Sequence, residues 1–149
     1  MLRGLRVVVS GITLAVVTLV GVNVVSAQEA PKPAPRLVLE GDAAMIVLLV
    51  KPESAGEFDT VLAKYKEALA KNDNPARKEQ LAGMKFFKSA APVGGNAAYF
   101  FYVDPVVKNQ EYDITMVLTE VFPSEVAALF EKYKAAFVNR QIFAMNKVQ

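Results

Sequence analysis

Residues 43–50 read AAMIVLLV, eight apolar residues in a row closed by Lys51-Pro52. The run is short for a helix, it includes the β-branched Ile46, Val47 and Val50, and no position in it suits water. That combination predicts a strand buried on both faces. A second run of the same kind, Ala97–Val103 (AAYFFYV), follows Pro92-Val93-Gly94-Gly95-Asn96. This turn chemistry closes a hairpin, with Met84–Ser89 (MKFFKS) as the other arm. Asp104-Pro105 ends it.

Between the first strand and the hairpin the period changes. Ser54 and Glu57 stand at capping-box spacing, and Phe58, Val61, Leu62, Tyr65 and Leu69 recur along one helical face. Asn72-Asp73-Asn74-Pro75 stops that helix, and residues 76–80 (ARKEQ) read as a polar connection. Tyr112–Phe122 fits two templates: a helix capped by Asp113, or a strand alternating through Ile114, Met116 and Leu118. The short helix is favoured. After Pro123, Ser124 reads as the cap of a longer helix with the stripe Val126, Leu129, Phe130, Tyr133 and Phe137, and Gln141–Val148 as a last strand. Glu120 and Glu125 flank the proline and are expected on the solvent side. Glu57–Leu69 and Glu125–Phe137 align without gaps around Lys-Tyr-Lys. A duplicated unit and two amphipathic helices of like composition both explain that echo.

The resulting order of strand, helix, strand, strand, helix, strand predicts an α+β fold. It is the ferredoxin-like split β-α-β sandwich (β-α-β-β-α-β), with an extra short helix before the second long helix. In that arrangement the first and third strands are central, and Lys85, Lys88 and Lys147 mark the other two as edges. Two helices cover one face of such a sheet. The other face is apolar as well, and the simplest cover is a second copy in a two-fold homodimer. Burial at about 25 cal/mol per Å² competes with the cost of association. The alternative is a monomer with the short helix as a lid.

Composition sets the compartment and removes whole classes of chemistry. The chain has 17 Lys and Arg against 15 Asp and Glu, and no His, Cys or Trp. Arg3 and Arg6 precede an apolar run from Val7 to Val25 that closes on Val25-Ser26-Ala27, the pattern of a Sec-type signal peptide cleaved after Ala27. An uncleaved membrane anchor is the alternative, since 19 apolar-rich residues can span a bilayer. Without residues 1–27 the charges balance, 15 basic against 15 acidic, so no electrostatic footprint for nucleic acid remains. The expected organisation is a signal peptide over 1–27, a Pro-rich linker over 28–42 and one domain over 43–149, periplasmic or secreted. The membrane is a partner only if the signal segment stays attached. Absence of His and Cys excludes the Ser-His-Asp triad, a Cys nucleophile, His-ligated haem and an ordinary zinc site. No cofactor, metal or catalytic residue is assigned.

Through its element order, the AAMIVLLVKPES strand-to-helix start and the YDITMVLTEVFP segment, the chain resembles the dimeric α/β-barrel superfamily over about residues 43–148. Its antibiotic-biosynthesis-type monooxygenases are the members it most suggests, as an exported bacterial form. The resemblance implies the ferredoxin-like fold and pairing through the sheet. Members that handle haem depend on a histidine, and cofactor-independent monooxygenases often use Trp; this chain has neither.

The remaining candidates for a ligand are Tyr99 and Tyr102, on opposite faces of one strand, and Lys85 and Lys88 on its neighbour. A Tyr–Lys pair there suits an anionic or phenolic ligand; core tyrosines and gatekeeper lysines are the alternative. The functional expectation is an exported dimeric domain, non-catalytic, holding a small apolar or aromatic ligand. A cofactor-independent monooxygenase or isomerase is the alternative, and a purely partner-binding module a third reading.

Overall fold

A computed structural model describes residues 36–148. The expected signal segment, its expected cleavage point after Ala27 and most of the expected linker lie outside these residues. The described part is α+β, with a four-stranded antiparallel sheet and four helices. In chain order these are β1 (Ala43–Val50), α1 (Ala55–Lys71), α2 (Pro75–Gly83), β2 (Met84–Lys88), β3 (Ala97–Val103), α3 (Ile114–Val121), α4 (Val126–Ala136) and β4 (Phe137–Met145). A 3-10 turn, Pro52–Ser54, precedes α1.

The sheet order is β2-β3-β1-β4, so the two most apolar strands are central. Ile46 of β1 lies opposite Phe101 of β3 on one side and Ile142 of β4 on the other. Alternation then divides the residues between two faces. Ala44, Ile46, Leu48 and Val50, with Tyr99, Phe101 and Val103, are buried against the helices. Phe58, Val61, Tyr65 and Leu69 of α1 form the facing layer, and Tyr65 stacks on Phe101 at 6.5 Å. Met45, Val47 and Leu49, with Phe100 and Tyr102, point to the other face and are half-buried. The β2–β3 connection tightens through paired Val93 and Asn96, with Gly94 (φ 56°) and Gly95 (φ 78°) in the left-handed region that such a two-residue turn requires.

Several local expectations give way. Residues 76–80 belong to α2: Pro75 opens it, Asn74 Oδ1 accepts from the Ala76 N–H at 3.1 Å, and Arg77 and Gln80 are buried. Ser54 caps nothing with its side chain, because it already sits in the 3-10 turn (φ −104°, ψ 6°), away from the extended geometry that aims a capping oxygen. Ser124 is not the cap of α4 either; Glu125 holds that position without a side-chain bond. The helix turns only a narrow side inward, burying Leu129 and Ala136 and leaving Phe130 41% exposed. Phe137, expected in the helical stripe, has ψ 130° and opens β4. That strand therefore runs Phe137–Met145 rather than Gln141–Val148, and Lys147 falls beyond it. The ambiguous segment does form the helix α3, and Asp113 caps it, accepting from the Thr115 and Met116 N–H groups.

The folded part also reaches back into the span read as linker. Leu39 is buried in the core. Glu111 accepts from the N–H of Arg36 at 2.5 Å and of Leu37 at 2.9 Å, while Leu37 C=O accepts from Tyr112 N–H.

Candidate functional site

The four candidate side chains form two cross-strand pairs on opposite faces of the sheet. The β2–β3 register sets Lys88 opposite Tyr99 and Lys85 opposite Tyr102. The odd residue numbers of β3 face the helices and the even ones face away, so no single site can contain all four.

On the helix side, the Tyr99 ring is buried edge-on against Phe58, with 4.6 Å between centroids. Its hydroxyl donates to Asp59 Oδ1 at 2.6 Å, and Lys88 Nζ meets Asp59 Oδ2 at 2.9 Å while lying 5.1 Å from the centre of the Tyr99 ring. The three groups shift one another. Burial, then the bond to Asp59, raises the Tyr99 phenol. For Asp59 the burial effect is upward, but hydrogen bonds from Tyr99 and Lys88 outweigh it and hold the carboxyl below its ordinary value. Bonding to Tyr99 and Asp59 raises the Lys88 ammonium. A phenol made harder to ionise and a carboxylate with both oxygens engaged are poor acid–base reagents near neutrality. What this cluster does is fasten α1 to β2 and β3.

On the open side, the Tyr102 hydroxyl donates to Asp104 Oδ2 at 3.1 Å, and Asp104 Oδ1 faces Lys147 Nζ at 3.7 Å. The bond to Asp104 raises the Tyr102 phenol. Lys85 stands exposed at the β2 rim and has no ion-pair partner among the described residues. The surrounding surface is apolar: Met45, Val47, Leu49 and Phe100 in the middle, Phe87 55% exposed towards one rim and Phe143 52% exposed towards the other.

A small cleft lies between the sheet and the helices, lined by Ile46, Leu48, Phe101, Ile114, Tyr133 and Arg140. Its volume is about 10 Å³, the room of roughly one water, so it cannot admit an organic ligand. Arg140 closes it, paired with Asp113 at 3.3 Å. Among the described residues there is no cluster of three metal-ligating acidic side chains.

Asp59, Asp104 and Arg140 complete these arrangements and were not singled out from the sequence. For Asp59 the one local signal is that it follows the core residue Phe58 on α1. Asp104 and Arg140 had none, because their partners are set by strand register. Compared with protein-family models, with curated protein sequences and with solved structures, the chain matches none.

Proposed function

We propose that this is an exported, non-catalytic binding domain, ferredoxin-like in plan and elaborated by two short helices, that forms a homodimer through its open sheet face. A small apolar or aromatic ligand is held between the paired sheets. Central β1 and β3 with antiparallel neighbours support the ferredoxin-like plan.

The observation that carries the proposal is the contrast between the two sides of the sheet. On the helix side, the cleft lined by Ile46, Leu48, Phe101, Ile114, Tyr133 and Arg140 has room for about one water. The open side presents Met45, Val47, Leu49, Phe100 and Tyr102, all only half-buried. Water against such a surface is costly, and apolar area removed from it is worth about 25 cal/mol per Å². The rims suit a second copy. Lys85 lies on the β2 rim and the neutral amide of Gln141 on the β4 rim, where it faces the same way as Val47. A two-fold axis parallel to the strands sets each Lys85 over the other copy's β4 rim, level with Phe143 and two residues along from Gln141, so no like charges meet. The tyrosines weigh against the alternative, a cofactor-independent monooxygenase or isomerase, since both hydroxyls are already given to carboxylates.

Size-exclusion chromatography with light scattering tests the reading. At micromolar concentration the purified protein should run at twice the chain mass, and Phe100→Lys should run as a monomer with an unchanged far-UV circular dichroism spectrum. A wild-type monomer at micromolar concentration sinks the proposal. Fluorescence of an aminonaphthalene probe should rise with the dimer and fall with Phe100→Lys. For the export part, the protein recovered from its host should start at Gln28.

A further inference from the structure

The two edges of the sheet are built differently. β2 spans five residues, two of them lysines. β4 spans nine, FVNRQIFAM, with one charged residue and no proline, and Val138, Ile142 and Phe143 are 42%, 39% and 52% exposed. Its outer backbone groups have no strand beside them among the described residues. A long apolar edge of this kind is a template for another strand unless charges guard it.

Both cations that could guard β4 are turned away. Arg140 lies on the helix side, opposite Leu48, and is paired with Asp113. Lys147 reaches across the end of the sheet to Asp104, beyond β3, while its own N–H donates to Asp42 Oδ2 at 3.0 Å. The remaining side chains of the edge are apolar or neutral.

We infer that β4 is a strand-addition edge whose occupant is the β4 of a second copy, antiparallel, joining two sheets into one. A two-fold axis along the sheet normal keeps each face on its own side, so apolar residues continue apolar residues across the junction. Centred on Gln141, the pairing sets Arg140 against the other copy's Ile142; centred on Ile142, it sets Arg140 against Ala144. Neither brings like charges together, and both satisfy backbone groups now left to solvent. This contact is separate from the face-to-face one: it uses backbone groups at the rim, and it leaves Phe100 untouched.

The absence of native cysteine makes the test direct. Directly opposed residues of antiparallel strands have Cα atoms about 4.5–5.5 Å apart, within disulfide range. Single cysteines are introduced as Gln141→Cys, Ile142→Cys and Phe143→Cys, in the wild-type and Phe100→Lys backgrounds, with Lys88→Cys on β2 as control. One β4 position should form disulfide dimers about tenfold faster than the control under mild oxidation, in both backgrounds. Separately, at concentrations well above micromolar, where the edge contact adds to the face dimer and raises the mass beyond twice the chain mass, Ile142→Lys in the wild type should bring it back to that value. No β4 position exceeding the control overturns the proposal, as does an excess that vanishes with Phe100→Lys, which assigns the contact to the face. If Phe100→Lys does not fold, the mass of Ile142→Lys decides: an unchanged mass overturns it.

Discussion

Arg77 and Glu120 meet side by side, Nε to Oε2 at 2.9 Å and the Nη2 nitrogen to Oε1 at 2.6 Å, with the arginine side chain 3% exposed. The pair ties α2 to α3, and its environment is fully engaged. The other guanidinium nitrogen, Nη1, donates to Gln80 Oε1 and to the Glu111 carbonyl, and Asn72 donates to Glu120. Glu120 is exposed, as expected, and is also the acceptor that makes burial of Arg77 possible.

Removing the cation alone takes the Arg77 donors from the Glu120 carboxylate and from the buried Gln80 Oε1. Arg77→Ala is expected to lower stability by about 3 kcal/mol in urea unfolding. Replacing both partners with apolar side chains, Arg77→Met with Glu120→Leu, should cost clearly less than the single change. Equal losses would show that the pairing itself contributes little.

All five tyrosines resist ionisation in the folded chain, for different reasons. Burial dominates for Tyr65, Tyr99, Tyr112 and Tyr133, the last pushed up to about 12, whereas Tyr102 is held by its bond to Asp104. Folded values above the unfolded one mean that this stability is complete below the ordinary phenol pKa of about 10 and is lost as pH rises through the folded values. Asp59 has the opposite sign: its contribution is present above the ordinary carboxyl value and is lost as pH falls through the lowered one. Absorbance at alkaline pH should therefore show phenolate appearing later in native than in unfolded protein. Tyr99→Phe should flatten both limbs of the stability profile slightly, and a native titration matching the unfolded one would refute the assignment.

Gly41 has φ +76°, and a Cβ there would lie 2.6 Å from the Met145 carbonyl oxygen. Gly41→Ala should destabilise by at least about 1–2 kcal/mol from the backbone conformation alone. The clash falls on the end of β4, so hydrogen exchange near Met145 should accelerate more than at the centre of β1. Uniform acceleration would point to global unfolding instead.

The parts of the fold visible in the sequence were those with local causes. AAMIVLLV and AAYFFYV are strands because nothing in them tolerates water, and Asp113 caps α3 through neighbours two and three residues away. The helix α2 was hidden because its buried residues, Arg77 and Gln80, are polar. Their burial depends on Glu111 and Glu120, more than thirty residues further on. The start of β4 was misplaced because Phe137 continues the helical spacing of Leu129 and Tyr133, and periodicity has no means to mark where the backbone extends. For the candidate site, the opposite orientations of Tyr99 and Tyr102 follow from strand alternation alone. Which lysine faces which tyrosine, and that Asp59 joins one pair and Asp104 the other, depends on register and on the placement of α1.

Glu111 sits where the chain enters the domain. Its carboxylate holds the backbone of Arg36 and Leu37, and its carbonyl is held in turn by Arg77 and Gln80. Tension applied through Arg36 and Leu37 would thus be shared between this side chain, which passes it to α2, and the Leu37–Tyr112 backbone bond, a route that bypasses the hydrogen bonds of β1.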